Sequence, residues 1–318
     1  MLKEKARNLP RSPGVYLMKD YRDEVLYVGK AKRLKDRVSS YFHKNKQHSK
    51  KVSRMIHNIH DFEVIHVDTE LDALLLECHL IQAYHPIYNR IMNHYKNYLY
   101  VSYQNQTFQL SQEPSADCYG PFKNYQRLPE LLTIIEETYQ LPTISPITQL
   151  ILTAQLPEMQ YLTIEEKNTE IHDMLAGKNQ KILTYLRNRQ AYCSQQMNFE
   201  YAKKLQIAIE RMTSFLYLIS QQRSTLTSQE FILSLPTTKE QMKHYRINYG
   251  SILETCLTPL DAIPVFSSET RIVENRPTFI EKAQIDPLYI LASYIKRVTA
   301  GEIEGSVHSL NEERTDKN

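Results

Sequence analysis

Six residues between positions 16 and 89 are of the types that cut a phosphodiester. They are Tyr16 in Gly14-Val15-Tyr16, Tyr27 in Tyr27-Val28-Gly29, Lys30 and Arg37 in the basic run that follows at once, Glu77, and Asn89 at the end of Pro86-Ile87-Tyr88-Asn89. Glu77 is the most informative. Its neighbours at helical spacing are Ala73, Leu80, Ile81 and Tyr84. A carboxylate on such an apolar face is costly unless it is paired or bound to metal. One carboxylate completed by water and substrate phosphate is how Mg²⁺ is commonly held.

The tyrosines need a magnitude. A free phenol has a pKa of about 10, so roughly one in a thousand is ionised at pH 7. A nearby cation lowers that value, so Tyr16 or Tyr27 could act as general base or orient the attacking water. A metal-bound water is the alternative nucleophile and needs no phenolate. Arg37 can set two parallel donors on a phosphate oxygen and stabilise developing charge. Asn89 offers an amide that both donates and accepts. Each residue also has an ordinary reading: packing tyrosines, a surface arginine, a salt-bridged glutamate and a turn asparagine after proline. Their combination is what points to chemistry.

The elements that must position these groups are legible. Residues 9–29 read as a β-hairpin: strand Val15–Met18, polar turn Lys19–Glu24 and return strand Val25–Val28. Helices are predicted over Leu34–Phe42 and Lys50–His60, with a third strand at 62–67. Thr69 can cap a helix that runs to about Tyr84 and stops before Pro86. Another hairpin follows over 98–110, then the block Tyr119-Gly120-Pro121-Phe122 and a helix over 128–139. Residues 140–160 read as an irregular connector, and 164–175 as a helix stopped by Gly177. Residues 179–223 read as a helical hairpin turning at Met197-Asn198. Beyond it come a strand at 231–235, a hairpin over 244–253, a helix over 285–297 and a frayed polar tail from 302.

Composition narrows the class. The chain has 318 residues, 42% hydrophobic and 24% charged, as in a soluble globular protein. It has no apolar run of membrane-spanning length and no leader-like apolar segment, so a cytoplasmic location is expected. The four cysteines lie far apart without a CxxC pair, which argues against a zinc or disulfide framework. Among the eight histidines of the first hundred residues only His57 and His60 share a helix face, and no acid or cysteine completes them. The net charge of +3 is unevenly spread: residues 1–100 carry +7 and the remainder −4. Ten basic residues and one acid, Asp36, lie between Lys30 and Arg54. That field attracts polyanions, and Lys32, Arg33, Lys35, Lys44, Lys46, Lys50, Lys51 and Arg54 are its candidate DNA contacts.

Residues 9–103 resemble the GIY-YIG nuclease domain, and more narrowly that of the UvrC excinuclease family with its short stand-alone Cho-type branch. The resemblance is carried by Leu9-Pro10-Arg11-Ser12-Pro13-Gly14-Val15-Tyr16, by Leu26 to Lys32, by Arg37-Val38-Ser39-Ser40-Tyr41-Phe42, by Leu74 to Ile81 and by Pro86 to Asn89. It implies incision of DNA on the 3′ side of a lesion in nucleotide excision repair, with one divalent ion, Mg²⁺ or Mn²⁺. It implies Tyr16, Tyr27, Lys30, Arg37, Tyr41 and Asn89 as catalytic residues, with Tyr27 a candidate base, and Glu77 as metal ligand. Asn198-Phe199-Glu200-Tyr201-Ala202 is similar to the UVR motif, which implies docking on UvrB, loaded by UvrA, through Phe199, Glu200, Ala202, Leu205 and Ile209. The ordinary reading of that stripe is a core-facing helix side.

The departures are specific. The family's cysteine cluster, helix-hairpin-helix pair and RNase H-like domain are not found, so a single cut is expected. The expected architecture is α+β: a nuclease domain over 1–103 with a short, mostly antiparallel sheet, a connector over 104–163, a helical region with the UVR-like hairpin over 164–223, and a small C-terminal α/β region over 224–318. A monomer is expected. The alternatives are a non-catalytic DNA-binding adaptor and a partner-independent, structure-specific nuclease.

Overall fold

The structure is a computed structural model that describes residues 2–43, 48–123, 125–227, 230–237, 240–260, 262–267 and 280–309. Lys44 and Lys46 lie outside the described residues. The chain opens with α1 (Leu2–Arg7), β1 (Gly14–Lys19), β2 (Val25–Ala31), α2 (Leu34–Ser39), α3 (Lys50–Asn58), β3 (Asp61–His66) and α4 (Glu70–Tyr84). Next come β4 (Leu99–Gln104), β5 (Thr107–Ser111), β6 (Cys118–Phe122), α5 (Leu128–Tyr139), α6 (Pro146–Gln155) and α7 (Ile164–Leu175). The long helices α8 (Lys181–Gln195) and α9 (Phe199–Thr227) follow. The chain then forms β7 (Phe231–Pro236), β8 (Gln241–Asn248), β9 (Ser251–Pro259), α10 (Lys282–Thr299) and β10 (Ser306–Ser309). The class is α+β, with three small antiparallel sheets. Among the described residues no helix is long and apolar enough to cross a membrane.

Contacts group the chain into two units. The first joins residues 1–95 to 227–276 and 283–318; the second comprises 96–226 with 277–282. Spatial grouping therefore departs from linear order. The first hairpin of the second unit begins before the sequence boundary at 103, and the C-terminal region packs with the N-terminal domain. The cause is on α4. Its Leu71, Leu74 and Leu75 face one side and join Leu233, Leu235, Ile247, Leu291 and Tyr294 in an apolar cluster. Its Ala73 and Ile81 face another and join Val15, Leu17 and Val28 of the first sheet. A helix apolar on two sides needs two covers.

The first sheet runs β2-β1-β3, all antiparallel, with Tyr16 opposite Gly29 and Met18 opposite Tyr27. Tyr16, Met18, Tyr27 and Gly29 thus share one face, which α2 and α3 cover through Leu34, Val38 and Met55. Gly14 and Gly29 are required for close approach. A Cβ at Gly14 would lie 2.5 Å from the Ile65 carbonyl oxygen, and one at Gly29 would overlap the Tyr16 phenol. Gly29→Ala is expected to cost about 3 kcal/mol, the upper range for overpacking a core, and chemical denaturation measures it.

The second unit packs α5 to α9 against the sheet β5-β4-β6. Here the structure corrects one expectation. Residues 146–155 form a helix rather than irregular connector, because Ser145 caps it through the Thr148 N–H and Pro146 opens its first turn. The Gly-Pro-Phe block is a strand, β6, which tolerates Pro121 because it lies at a sheet edge. A second correction falls in the first unit. Ser306–Ser309, expected to fray, pair antiparallel with Phe231–Ser234, so backbone bonding orders a segment whose single apolar residue, Val307, gives no strand pattern.

Candidate active site

The site is assembled along the free edge of β2. As the outer strand of its sheet, β2 leaves alternate backbone groups unpaired, and three side chains or turns satisfy them. The Tyr88 N–H donates to the Leu26 carbonyl at 3.1 Å. The Asn89 amide makes a two-way pair with Val28, accepting from its N–H and donating to its carbonyl, both at 2.9 Å. Glu77 Oε1 accepts from the Lys30 N–H at 2.9 Å. Asn89 thus acts as an extra peptide group that locks the strand carrying Tyr27 and Lys30.

Glu77 sits on the third turn of a helix whose start is well defined. Thr69 and Asp72 form a reciprocal capping box, and His85 ends the helix in the left-handed region ahead of Pro86. The Glu77 side chain is half-buried, and its Oε2 has no protein partner among the described residues. Burial pushes its carboxyl above the usual range, while the Lys30 N–H and the charges of Lys30 and Arg37 pull it back only in part. An acid held this way favours a cation as neighbour. Among the described residues no three His, Cys, Asp or Glu side chains converge as metal ligands. The donor set therefore fits a hard divalent ion such as Mg²⁺ or Mn²⁺, bound through one carboxylate oxygen and completed by water and phosphate oxygens.

The phenols cluster on the covered face of the sheet. Tyr16 and Tyr41 hydroxyls are 2.8 Å apart, and the Arg37 Nε donates to the Tyr16 oxygen at 3.2 Å. The Arg37 guanidinium also lies 5.2 Å from the Tyr41 ring centre, and the rings of Tyr16 and Tyr27 are 6.0 Å apart. Tyr16 is fully buried, and burial drives its phenol well above its ordinary value. Burial likewise pushes Tyr41 to about 12. Both are neutral hydrogen-bonding groups at pH 7. Tyr27 is half-buried and lines a cavity of about 210 Å³ with Arg37, Tyr41, His48, Lys51 and Tyr88.

Lys30 is not free. Its ammonium lies 2.6 Å from Glu70 Oε1, and Lys32 lies 2.7 Å from Glu70 Oε2. Burial works against ionisation of Glu70, but the two lysines together hold its carboxyl below the usual range. Glu70 was not among the residues the sequence pointed to. The signal was present: Glu70 and Glu77 are seven residues, two helical turns, apart and so share a face. His48 was also missed. It stacks on Tyr41, and its Nε2 is buried with no partner among the described residues. It lies beyond the motif blocks, and nothing in its spacing marks it.

The basic residues divide. Lys32, Arg33, Lys50, Lys51 and Arg54 are exposed and Lys35 half-exposed. Lys51 donates to the Tyr88 carbonyl at 2.7 Å, so it also ties the edge turn. The partner residues divide as well. Phe199 is 67% exposed and Glu200 is exposed at the turn between α8 and α9. Ala202, Leu205 and Ile209 instead lie in the core of the second unit. Their assignment to a docking surface is corrected: the helical stripe is core-facing, because α9 spends its apolar side on α5 and α8 residues such as Ile135 and Leu186. Leu205→Ala is expected to lower stability by about 2–5 kcal/mol, and Phe199→Ala by less than about 0.5, as denaturation midpoints will show.

Residues 12–90 match the family model described as a UvrC-like GIY-YIG domain. The UvrABC system protein C of Clostridium tetani is 35% identical over 230 residues, which covers 64% of this chain and 37% of that protein. That of Alkaliphilus oremlandii is 34% identical over 227 residues, covering 64% and 36%. The chain thus spans little more than a third of the length of the curated relatives it matches. The solved GIY-YIG N-terminal endonuclease domain of UvrC from Thermotoga maritima, bound to its catalytic divalent cation magnesium, is 37% identical. The match covers 28% of this chain and 96% of that one, with a TM-score of 0.26. Residues 12–90, which hold the tyrosines, Lys30, Arg37, Glu77 and Asn89, belong to the UvrC-like GIY-YIG domain family.

Proposed function

We propose that this chain is a divalent-metal-dependent DNA endonuclease of nucleotide excision repair, which makes a single incision on the 3′ side of a lesion and is brought there by UvrB. The observation that carries the reading is the meeting of Glu77, with one oxygen open, and the Arg37–Tyr16–Tyr41 hydrogen-bonded cluster at one end of β2.

A bound Mg²⁺ or Mn²⁺ supplies Lewis-acid stabilisation of phosphate charge. The protein's own groups divide the remaining work. Arg37, anchored by Tyr16, directs its other donors at the phosphate oxygens, where negative charge develops. Tyr16 and Tyr41, both neutral, act as fixed hydrogen-bond partners that hold Arg37 rather than as bases. Tyr27, which lines the cavity and is only half-buried, takes the proton from the attacking water. Lys30 and Lys32, paired on Glu70, hold the DNA backbone beside the cut. Asn89 fixes the strand on which Tyr27 and Lys30 stand.

The α8–α9 hairpin supports docking on UvrB through its turn, where Met197 and Phe199 are 79% and 67% exposed. The core positions Ala202, Leu205 and Ile209 take no direct part. The test is metal-dependent incision of a single-lesion duplex with purified UvrA and UvrB. Chelation should abolish the cut and either Mg²⁺ or Mn²⁺ should restore it. Phe199→Ala should weaken the UvrB-dependent rate by about tenfold, as for a central aromatic anchor. Incision that survives chelation, or that ignores UvrB, would overturn the reading.

A further inference from the structure

The C-terminal region has no part in the chemistry described so far, yet it makes polar contacts with α4 at both ends of that helix. Tyr245 on β8 is 1% exposed, and its hydroxyl lies 2.5 Å from Thr69 Oγ1 and donates to Asp72 Oδ1 at 3.0 Å. Lys243, two residues earlier on the same strand face, donates to Asp68 Oδ2 at 2.9 Å and to Asp72 Oδ2 at 3.0 Å. Thr69 and Asp72 are the capping box of α4. At the far end the Gln82 side chain donates to the Ala283 carbonyl at 3.1 Å, in the first turn of α10. Leu71, Leu74 and Leu75 fill the space between.

From this we propose that the C-terminal region braces α4, and that Tyr245 and Lys243 are positioning residues for the Glu77 carboxylate. The inference rests on the reading of Glu77 as metal ligand. Its physical basis is the lever arm of a helix. Rotating α4 by about 10° moves a side chain at about 5 Å radius by about 1 Å. Misplacement of that size is enough to spoil metal geometry and incision. Apolar packing is non-directional, so it sets the rotation of a helix less sharply than hydrogen bonds do. Directional bonds to buried cap atoms do not slide. The same first turn carries Glu70, so the brace also sets Lys30 and Lys32.

The test uses the full chain. Tyr245→Phe keeps the ring and removes both hydroxyl contacts. Lys243→Met keeps the length and removes the charge. Mn²⁺ binding to DNA-free protein is followed by electron paramagnetic resonance, with Glu77→Gln beside the wild type. Amide exchange along α4 is read on the same samples. Ile135→Val, in the other unit, controls for general loss of stability. The expected result is Mn²⁺ affinity about tenfold weaker in each brace variant, the lower range for outer-shell partners of a metal ligand. Exchange over residues 73–84 should quicken, incision should return at high Mn²⁺, and Ile135→Val should change neither binding nor exchange.

Unchanged affinity or unchanged exchange in both brace variants, with Glu77→Gln deficient in binding, would overturn the brace alone. Equal loss in Ile135→Val would overturn it too, by showing a nonspecific effect. Wild type that binds no Mn²⁺, or binds it as Glu77→Gln does, would overturn the metal reading and the link to Glu77 with it.

Discussion

Glu77→Gln is expected to lower incision by on the order of a thousandfold while leaving the fold intact. Glutamine keeps the shape, and its amide oxygen still accepts from the Lys30 N–H. What it removes is the negative charge beside Lys30 and Arg37, and with it a carboxylate oxygen that has no protein partner among the described residues. Thermal unfolding should therefore move little, since burial of a neutral amide relieves the desolvation that now pushes the carboxyl up. Single-turnover incision beside a melting curve checks both halves. A variant that melts normally and cuts normally would remove Glu77 from the site.

Arg37→Ala is expected to lower kcat by on the order of a hundredfold with little change in DNA affinity. Arg37 is an exposed side chain with a fixed head: its Nε is spent on Tyr16 and its guanidinium carbon lies over the Tyr41 ring. Two nitrogens remain to face phosphate. Arg37→Lys should rescue poorly, because one ammonium cannot hold Tyr16 and also present a planar pair of donors. Lys32→Ala, on the exposed basic face, should instead weaken binding and its salt dependence while sparing kcat. Kinetics at two salt concentrations separate the cases. Full rescue by lysine would reduce Arg37 to a point charge.

The parts legible in the sequence were those set by local rules. The hairpin of β1 and β2, the Thr69 cap, the stop before Pro86 and the turn at Met197-Asn198 each follow from residues close together in the chain. The two motif glycines stand in the same short motifs as Tyr16 and Tyr27. Their reason is close approach, at Gly14 to the Ile65 carbonyl and at Gly29 to the Tyr16 ring. Tyr16, Tyr27, Tyr41, Arg37 and Lys30 were named from their motifs, and they stand on β1 (Tyr16), β2 (Tyr27 and Lys30), α2 (Arg37) and the turn just after α2 (Tyr41).

What escaped depends on distant partners. The Glu70 clamp on Lys30 and Lys32 needs residues about forty positions apart to meet. The pairing of β10 with β7 joins the two ends of the C-terminal region. Burial of Ala202, Leu205 and Ile209 shows the other limit. An apolar stripe at helical spacing says that a face will be covered, not whether the cover is a partner protein or the chain's own helices. The contact of β8 with α4 spans about 175 positions and leaves no local trace, since Tyr245 alone in a strand reads as ordinary packing.

The most direct test of the central claim is to map the cut. A duplex with one defined lesion, labelled in turn at the 5′ and 3′ ends of the damaged strand, is incubated with Mg²⁺, UvrA, UvrB and either wild type or Glu77→Gln. One cut on the 3′ side of the lesion is expected with wild type and none with the variant. Equal cutting by both proteins, a cut on the 5′ side, or no cut while the complex stays bound to the lesion would contradict it.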